Sequence, residues 1–208
     1  MERENEMPII RTNKELRPRN IHDFYPTPVD VCKATLKNYL ISYYDDMVVL
    51  DAGCGEGVWG QALHKTFPYA ISIGIDDRAV NDEYYDTVLK GDYRDFNFGG
   101  EQFDLVMGNP PYKFAEEFIR KSITVLRDNG QILFLLRLAF LESQKRLNGL
   151  WKEFPPTYVH VLGKRPSFMG DVSRKTDSDA YAIFDWRFGV EKKSPEIDWL
   201  DWDYEKEN

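Results

Sequence analysis

Four short apolar runs in the middle of the chain each lead into a carboxylate or carboxamide side chain: residues 47–50 into Asp51, 70–75 into Asp76, 88–89 toward Asp92 and 103–107 toward Asn109. A continuous apolar run of this length reads as a strand buried on both faces, and the polar residue marks its carboxyl end. Helical segments alternate with these runs. Residues 57–67 form one, stopped by Pro68, and residues 113–127 another, with Phe114, Phe118, Ile119, Ile123 and Leu126 on one face and Gly130 as the stop. Residues 29–43 read as a helix ahead of the first strand, 131–136 as a fifth strand and 138–151 as a helix. Residues 158–162 and 180–188 read as two further strands, set off by Pro155-Pro156. The expected architecture is α/β and Rossmann-like: a seven-stranded, mostly parallel sheet with a terminal antiparallel pair and helices on both faces. Ligands bind such sheets beyond the carboxyl ends of the strands, where Asp51, Asp76, Asp92 and Asn109 all fall.

Composition narrows the class of protein. The chain has 208 residues, 42% of them hydrophobic and 14% aromatic, enough for one domain with a real core. No apolar run approaches the ~20 residues of a membrane span. The N-terminal sequence has alternating charge and no apolar stretch, so no signal peptide is expected. Cys32 and Cys54 are too far apart to clip a metal, and His22, His64 and His160 are scattered, so no metal site is expected and each histidine reads as structural or surface. The expected compartment is a reducing cytosol.

The net charge of −8 argues against a protein that holds nucleic acid by overall charge. Its distribution says more. Residues 191–208 carry seven acidic side chains against three lysines, whereas residues 137–175 carry eight basic side chains against three acidic ones. The division expected is an N-terminal arm over 1–20, a domain over 21–190 with a basic region within 137–178, and an acidic tail over 191–208, whose Trp199, Trp202 and Tyr204 would pack on the body.

Asp51-Ala52-Gly53-Cys54-Gly55-Glu56-Gly57 stands between a strand and a helix, where glycine lets the backbone turn sharply and approach a ligand. The spacing differs from the G-x-G-x-x-G of dinucleotide folds, and the Lys-Ser/Thr of a phosphate loop is missing. Phosphate binding is disfavoured, and a glycine-rich turn of this kind is otherwise shared by dinucleotide and S-adenosylmethionine (SAM) enzymes. Asp76, about 25 residues on, suits the two ribose hydroxyls of an adenosine, and Asp92 its amino group. Asp77 reads as an N-cap before Arg78.

The most specific feature is Asn109-Pro110-Pro111-Tyr112. Two prolines fix the backbone, remove two N–H donors and leave a rigid set of carbonyl acceptors beside an aromatic ring. Such a loop suits a planar amino group, whose nitrogen is a poor nucleophile because its lone pair is delocalised. Acceptance of both amino hydrogens, by the Asn109 side-chain oxygen and the Pro110 carbonyl, favours a pyramidal nitrogen with its lone pair aimed at a methyl donor. Tyr112 would stack on the planar group.

These residues resemble those of the class I SAM-dependent methyltransferases that act on the N6 position of adenine, whose catalytic motif is Asp or Asn, two prolines, then Tyr, Phe or Trp. Phe24-Tyr25-Pro26-Thr27-Pro28 resembles that family's N-terminal motif, which closes over the methionine part of the cofactor. The linear order of the motifs is the family's. The resemblance implies the class I methyltransferase fold, SAM as cofactor, and Asn109, Pro110, Pro111 and Tyr112 as the catalytic set. Tyr25, Thr27, Pro28, Asp51, Gly53, Gly55, Asp76, Asp92 and Asn109 are then the cofactor-binding candidates. Residues 137–143 with Arg146, then 165–168 and 179–186, look like the small adenine methyltransferases of phages and prophages. The implied partner is DNA, single- or double-stranded, with Arg137, Arg146, Lys164, Arg165, Arg174 and Lys175 as contacts that position it through phosphates.

One departure from the family's usual plan is the lack of room for a recognition domain, so relaxed sequence specificity is expected. Adenine in a duplex must also be flipped out of the stack, which favours single strands or weak sites. The same tetrad occurs in methyltransferases acting on ribosomal RNA and on protein glutamine, which remain alternative acceptors. A non-catalytic subunit that binds SAM or DNA is a further alternative, against which the intact tetrad argues.

Overall fold

The structure, a computed structural model, describes residues 27–78, 82–168 and 178–202. Tyr25, Arg174, Lys175 and the expected 1–20 arm lie outside the described residues. The elements run α1 (Val29–Tyr39), β1 (Val48–Ala52), α2 (Val58–Thr66), β2 (Ile71–Asp76), β3 (Thr87–Lys90), β4 (Phe103–Gly108), α3 (Ala115–Val125), β5 (Leu126–Arg137), α4 (Gln144–Asn148), α5 (Leu150–Glu153), β6 (Tyr158–Leu162), β7 (Tyr181–Arg187) and β8 (Glu196–Leu200). They form a single sheet in the order β3-β2-β1-β4-β5-β7-β6-β8. The first five strands are parallel, β7 is antiparallel to β5 and β6, and β8 runs parallel to β6.

Burial follows the two-residue period of a sheet covered on both sides. Val49, Leu105, Met107, Leu133 and Leu135 face α1 and α2, with Val31, Leu36, Trp59 and Leu63 packed on them. Leu50, Val106, Ile132, Phe134 and Leu136 face the other way, toward Phe118 and Ile119 of α3. None of the described helices is long and apolar enough to cross a membrane.

Three expectations change. The sheet has eight strands, because part of the acidic segment forms β8. Glu196 N–H donates to the Thr157 carbonyl and Gly163 N–H to that of Leu200, which is 2% exposed, while Trp199 stands outward at 72%. Residues 138–151 are a 3-10 turn (Leu138–Leu141) followed by two short helices. In a continuous helix the Glu142 carbonyl would accept the Arg146 N–H. Here the Ser143 hydroxyl caps that N–H at 3.3 Å, and the Glu142 carbonyl takes the Arg146 guanidinium. Finally, α1 ends at Tyr39 rather than residue 43, where Ile41 N–H turns to the Gln131 side chain at 3.2 Å.

At the end of the sheet away from the parallel strands' carboxyl termini lies a buried polar cluster. Asp185, fully buried, accepts from Gln131 Nε2 at 2.9 Å and Arg187 Nε at 2.8 Å, and lies 3.3 Å from His160 Nε2. The other imidazole nitrogen is 2.5 Å from Asp198 of β8, and the Tyr39 ring stacks on the imidazole. His160 thus ties β8 to the sheet interior, which accords with its expected structural role.

Candidate functional site

In the strand order, β1 has β2 on one side and β4 on the other, so the connections from β1 and β4 leave in opposite directions and open a crevice between their carboxyl ends. The glycine turn follows β1, and Asn109 follows β4. A close approach at Gly108 brings the two together. Its φ is +152°, and a Cβ there would sit 2.6 Å from the Ala52 carbonyl oxygen and 3.3 Å from Asp51 Oδ1, so no larger residue fits without displacing β1.

Asn109 donates through Nδ2 to the buried Thr27 hydroxyl at 3.1 Å. That bond fixes the amide plane and leaves Oδ1 as the acceptor at its other end. Pro110 is buried, and no described residue donates to its carbonyl oxygen. The Pro111 carbonyl accepts from Phe114 N–H at 2.8 Å, which winds a 3-10 turn over Tyr112–Phe114. The Tyr112 ring is 6.0 Å from that of buried Tyr181, which packs edge-on against Phe168 at 4.8 Å. Over Tyr112 lies the Arg137 guanidinium, 4.9 Å from the ring centroid and 3.2 Å from an Asp179 oxygen.

The glycine turn adopts left-handed φ at Gly53, Gly55 and Gly57 (77°, 53° and 82°). Gly53 and Cys54 N–H both donate to the Ile75 carbonyl, at 2.9 and 3.0 Å, pinning the turn to β2. Asp51, 1% exposed, accepts from the Tyr85 hydroxyl through Oδ2 at 2.5 Å, while Oδ1 has no hydrogen-bond partner among the described residues. Burial pushes its carboxyl up to about 7, against the pull of the Tyr85 hydrogen bond and with a further push from the Asp76 charge.

Asp76 is held differently. Oδ1 accepts from Arg78 N–H and Nε, both at 2.9 Å, and Oδ2 from Gly55 N–H and Arg78 Nη2, both at 3.0 Å. Burial would raise this carboxyl, but the Arg78 side chain and the backbone donors hold it below the usual carboxylate range. Four donors fill a carboxylate's acceptor sites. Asp92 repeats the pattern: Oδ1 accepts from Arg94 N–H at 3.0 Å and Nε at 2.9 Å, and the guanidinium also bonds Oδ2 and lies 3.8 Å from the Phe114 ring centroid. The Arg94 hydrogen bonds lower its carboxyl as well. It is Asp76, and not Asp77, that accepts the Arg78 N–H; the Asp77 side chain is 70% exposed.

The structure thus gathers Thr27, Asp51, the glycine turn and residues 109–112 around one crevice, with Asp76 beside the turn and Asp92 beyond the edge strand β3. Pro28 precedes α1, its carbonyl accepting the Val31 N–H at 3.1 Å. Of the basic candidates, Arg137 joins this group. Arg146 spends its guanidinium on the Phe140 and Glu142 carbonyls, at 2.8 and 2.6 Å. Lys164 and Arg165 are exposed, and the Lys164 carbonyl accepts from Trp202 Nε1 at 2.9 Å. Sequence reading did not single out Gly108, Tyr85, Arg94 or Tyr181 as site residues, nor Arg78 as the partner of Asp76. Only the repeated Asp-x-Arg at 76–78 and 92–94 left a visible trace.

Comparison with known proteins agrees with this fold. The profile of the methyltransferase small domain matches residues 24–159. No match is found among the curated proteins. Among solved structures, the chain is similar to a Listeria monocytogenes protein assigned as a class I S-adenosylmethionine-dependent methyltransferase (TM-score 0.56, 16% identity, 84% of this chain and 65% of that one). It is also similar to a dimethyladenosine transferase from Plasmodium falciparum (0.54, 19%, 79% and 63%) and to TrmN from Thermus thermophilus (0.51, 17%, 76% and 48%). The chain spans less than two-thirds of the length of each of these three proteins. The orphaned Asp51 oxygen and the glycine turn fit an S-adenosyl ligand with a cationic amino group. The chain belongs to the methyltransferase small-domain family, and its cofactor is S-adenosylmethionine.

Proposed function

We propose that the protein methylates the N6 amino group of adenine in DNA, with short or relaxed sequence specificity. The observation that carries this reading is the Asn109 amide, anchored by Thr27 at the end of β4 and followed by a rigid Pro110-Pro111 turn with an aromatic ring beside it. When bound, SAM supplies a methyl carbon made electrophilic by its sulfonium. Asp51 would hold the amino group of the methionine part, the glycine turn would lie against the cofactor, and Asp76 and Asp92 would take the ribose hydroxyls and the adenine amino group. Asn109 Oδ1 and the Pro110 carbonyl accept the two hydrogens of the target amine, so its lone pair is turned out of conjugation. As positive charge builds on the nitrogen these oxygens stabilise it, and one proton then leaves to water. No strong base is needed.

Tyr112 supplies the stacking surface. Tyr112→Ala is expected to raise KM for the nucleic acid roughly ten- to hundredfold, in line with about 1–3 kcal/mol per stacked base, with SAM affinity unchanged in calorimetry. Binding of ribose at Asp76 requires the Arg78 side chain to leave, since its oxygens are already filled. Arg78→Ala is therefore expected to tighten SAM binding by up to about fivefold, the most that a partly exposed pair worth about 1 kcal/mol can oppose. Weaker binding would show instead that Arg78 itself contacts the cofactor.

Isotope-labelled SAM offered with DNA, RNA and protein together tests the acceptor class. Label is expected in DNA, more in single strands than in duplex. One structural neighbour, from Plasmodium falciparum, is named a ribosomal RNA methyltransferase, which is why RNA belongs in the test. Label confined to RNA or to protein would reject the DNA reading.

A further inference from the structure

Tyr85 lies in the connection between β2 and β3, outside every motif, yet it reaches the centre of the cofactor site. Its hydroxyl donates to Asp51 Oδ2 at 2.5 Å and accepts from Gly60 N–H at 3.3 Å, roles that a phenol can fill together. The ring occupies space that two glycines leave: a Cβ on Gly60 would come within 2.5 Å of it, and one on Gly74 within 3.2 Å. The side chain is thus wedged between α2 and β2, with little freedom to move. The opposite oxygen of Asp51, Oδ1, lies on the β4 side, 3.3 Å from where a Cβ on Gly108 would stand, buried and without a partner among the described residues.

We propose that Tyr85 is a positioning residue of the cofactor site: by holding Oδ2 it orients the Asp51 carboxylate so that Oδ1 receives the ammonium group of SAM. This rests on the reading of Asp51 as a cofactor ligand. An ionised, fixed carboxylate binds an ammonium through a charge-assisted hydrogen bond, and the phenol stabilises that ionised form in a site where burial disfavours it. The groups facing Asp51 are Tyr85, Asp76 at the end of β2, Cys54 in the glycine turn and Cys32 of α1. Burial keeps both thiols protonated far above neutrality, as it does the Tyr85 phenol, and Arg78 holds Asp76 ionised. Asp51 is the group among these that changes charge near pH 7.

The sign follows. As pH falls through the Asp51 value the carboxylate is protonated, so SAM binding should weaken on the acid side with a midpoint near 7. Tyr85→Phe keeps the ring and removes the donor, which raises the carboxyl further and moves that acid limb up by about one pH unit. Placing 3-fluorotyrosine at position 85 alone gives a stronger donor and moves the limb down. The measurement is calorimetric titration of each protein with SAM from pH 5.5 to about 9, beside Asp51→Asn, with thermal melts to check folding. A limb that shifts up with phenylalanine and down with fluorotyrosine supports the proposal. If Asp51→Asn binds SAM as wild type does, the reading of Asp51 as a ligand fails. If Asp51→Asn weakens binding while neither change at Tyr85 moves the limb, Tyr85 is only packing and the proposal is overturned.

Discussion

Asn109→Ala is expected to lower kcat by roughly 10²- to 10³-fold, the usual cost of removing one fixed polar group that stabilises developing charge, while SAM binding persists in calorimetry. The alanine removes the oxygen proposed to accept an amino hydrogen and unpairs the Thr27 hydroxyl. Asn109→Asp separates these effects. It keeps an acceptor at the same place, and the Thr27 hydroxyl can donate to it, so most activity should remain. An alanine variant that methylates at the wild-type rate would show that the amide does not prepare the nucleophile.

The second large effect concerns stability. Asp185→Ala leaves the Arg187 guanidinium, the Gln131 amide and His160 without their shared carboxylate inside the sheet. Unpairing a buried network of this kind costs about 3 kcal/mol, which in a domain of this size lowers Tm by roughly 10 °C. Asp198→Ala should cost less, because that carboxylate is half exposed. Since the cluster lies at the opposite end of the sheet from the crevice, SAM affinity below the transition should be unchanged in both variants. Calorimetric melts and SAM titrations on the same samples check this.

The buried strands were legible because each is a run of apolar residues closed by a polar one, and burial on both faces demands that pattern. β8 was not: of Glu196–Leu200 only Leu200 is buried, so an edge strand held by backbone pairing to β6 looks like an acidic tail. Residues 138–151 carry enough apolar side chains to suggest one helix. The break depends on the Ser143 cap and on the Arg146 guanidinium seeking carbonyls, a choice made only once the loop folds back on itself. The placement of Asp51 and Asn109 at strand ends was readable because local glycine and proline spacing follows each of them. Tyr85 could not be read, because its contact with Asp51 spans 34 residues and exists only when β1 and β2 pair. Arg78 and Arg94 stood two residues after their aspartates in plain view. That each would fill the carboxylate before it required the geometry of the turn.

The reaction proposed at this crevice is methyl delivery to the exocyclic nitrogen of adenine in DNA. The most direct measurement uses SAM with a deuterated methyl group and single-stranded DNA containing all four bases, digested to nucleosides after reaction and examined by mass spectrometry. The expected product is a single labelled nucleoside, N6-methyldeoxyadenosine, formed by the wild-type protein and lost with Asn109→Ala. Label on any other base, or unlabelled DNA from a protein that demonstrably binds SAM, would contradict it.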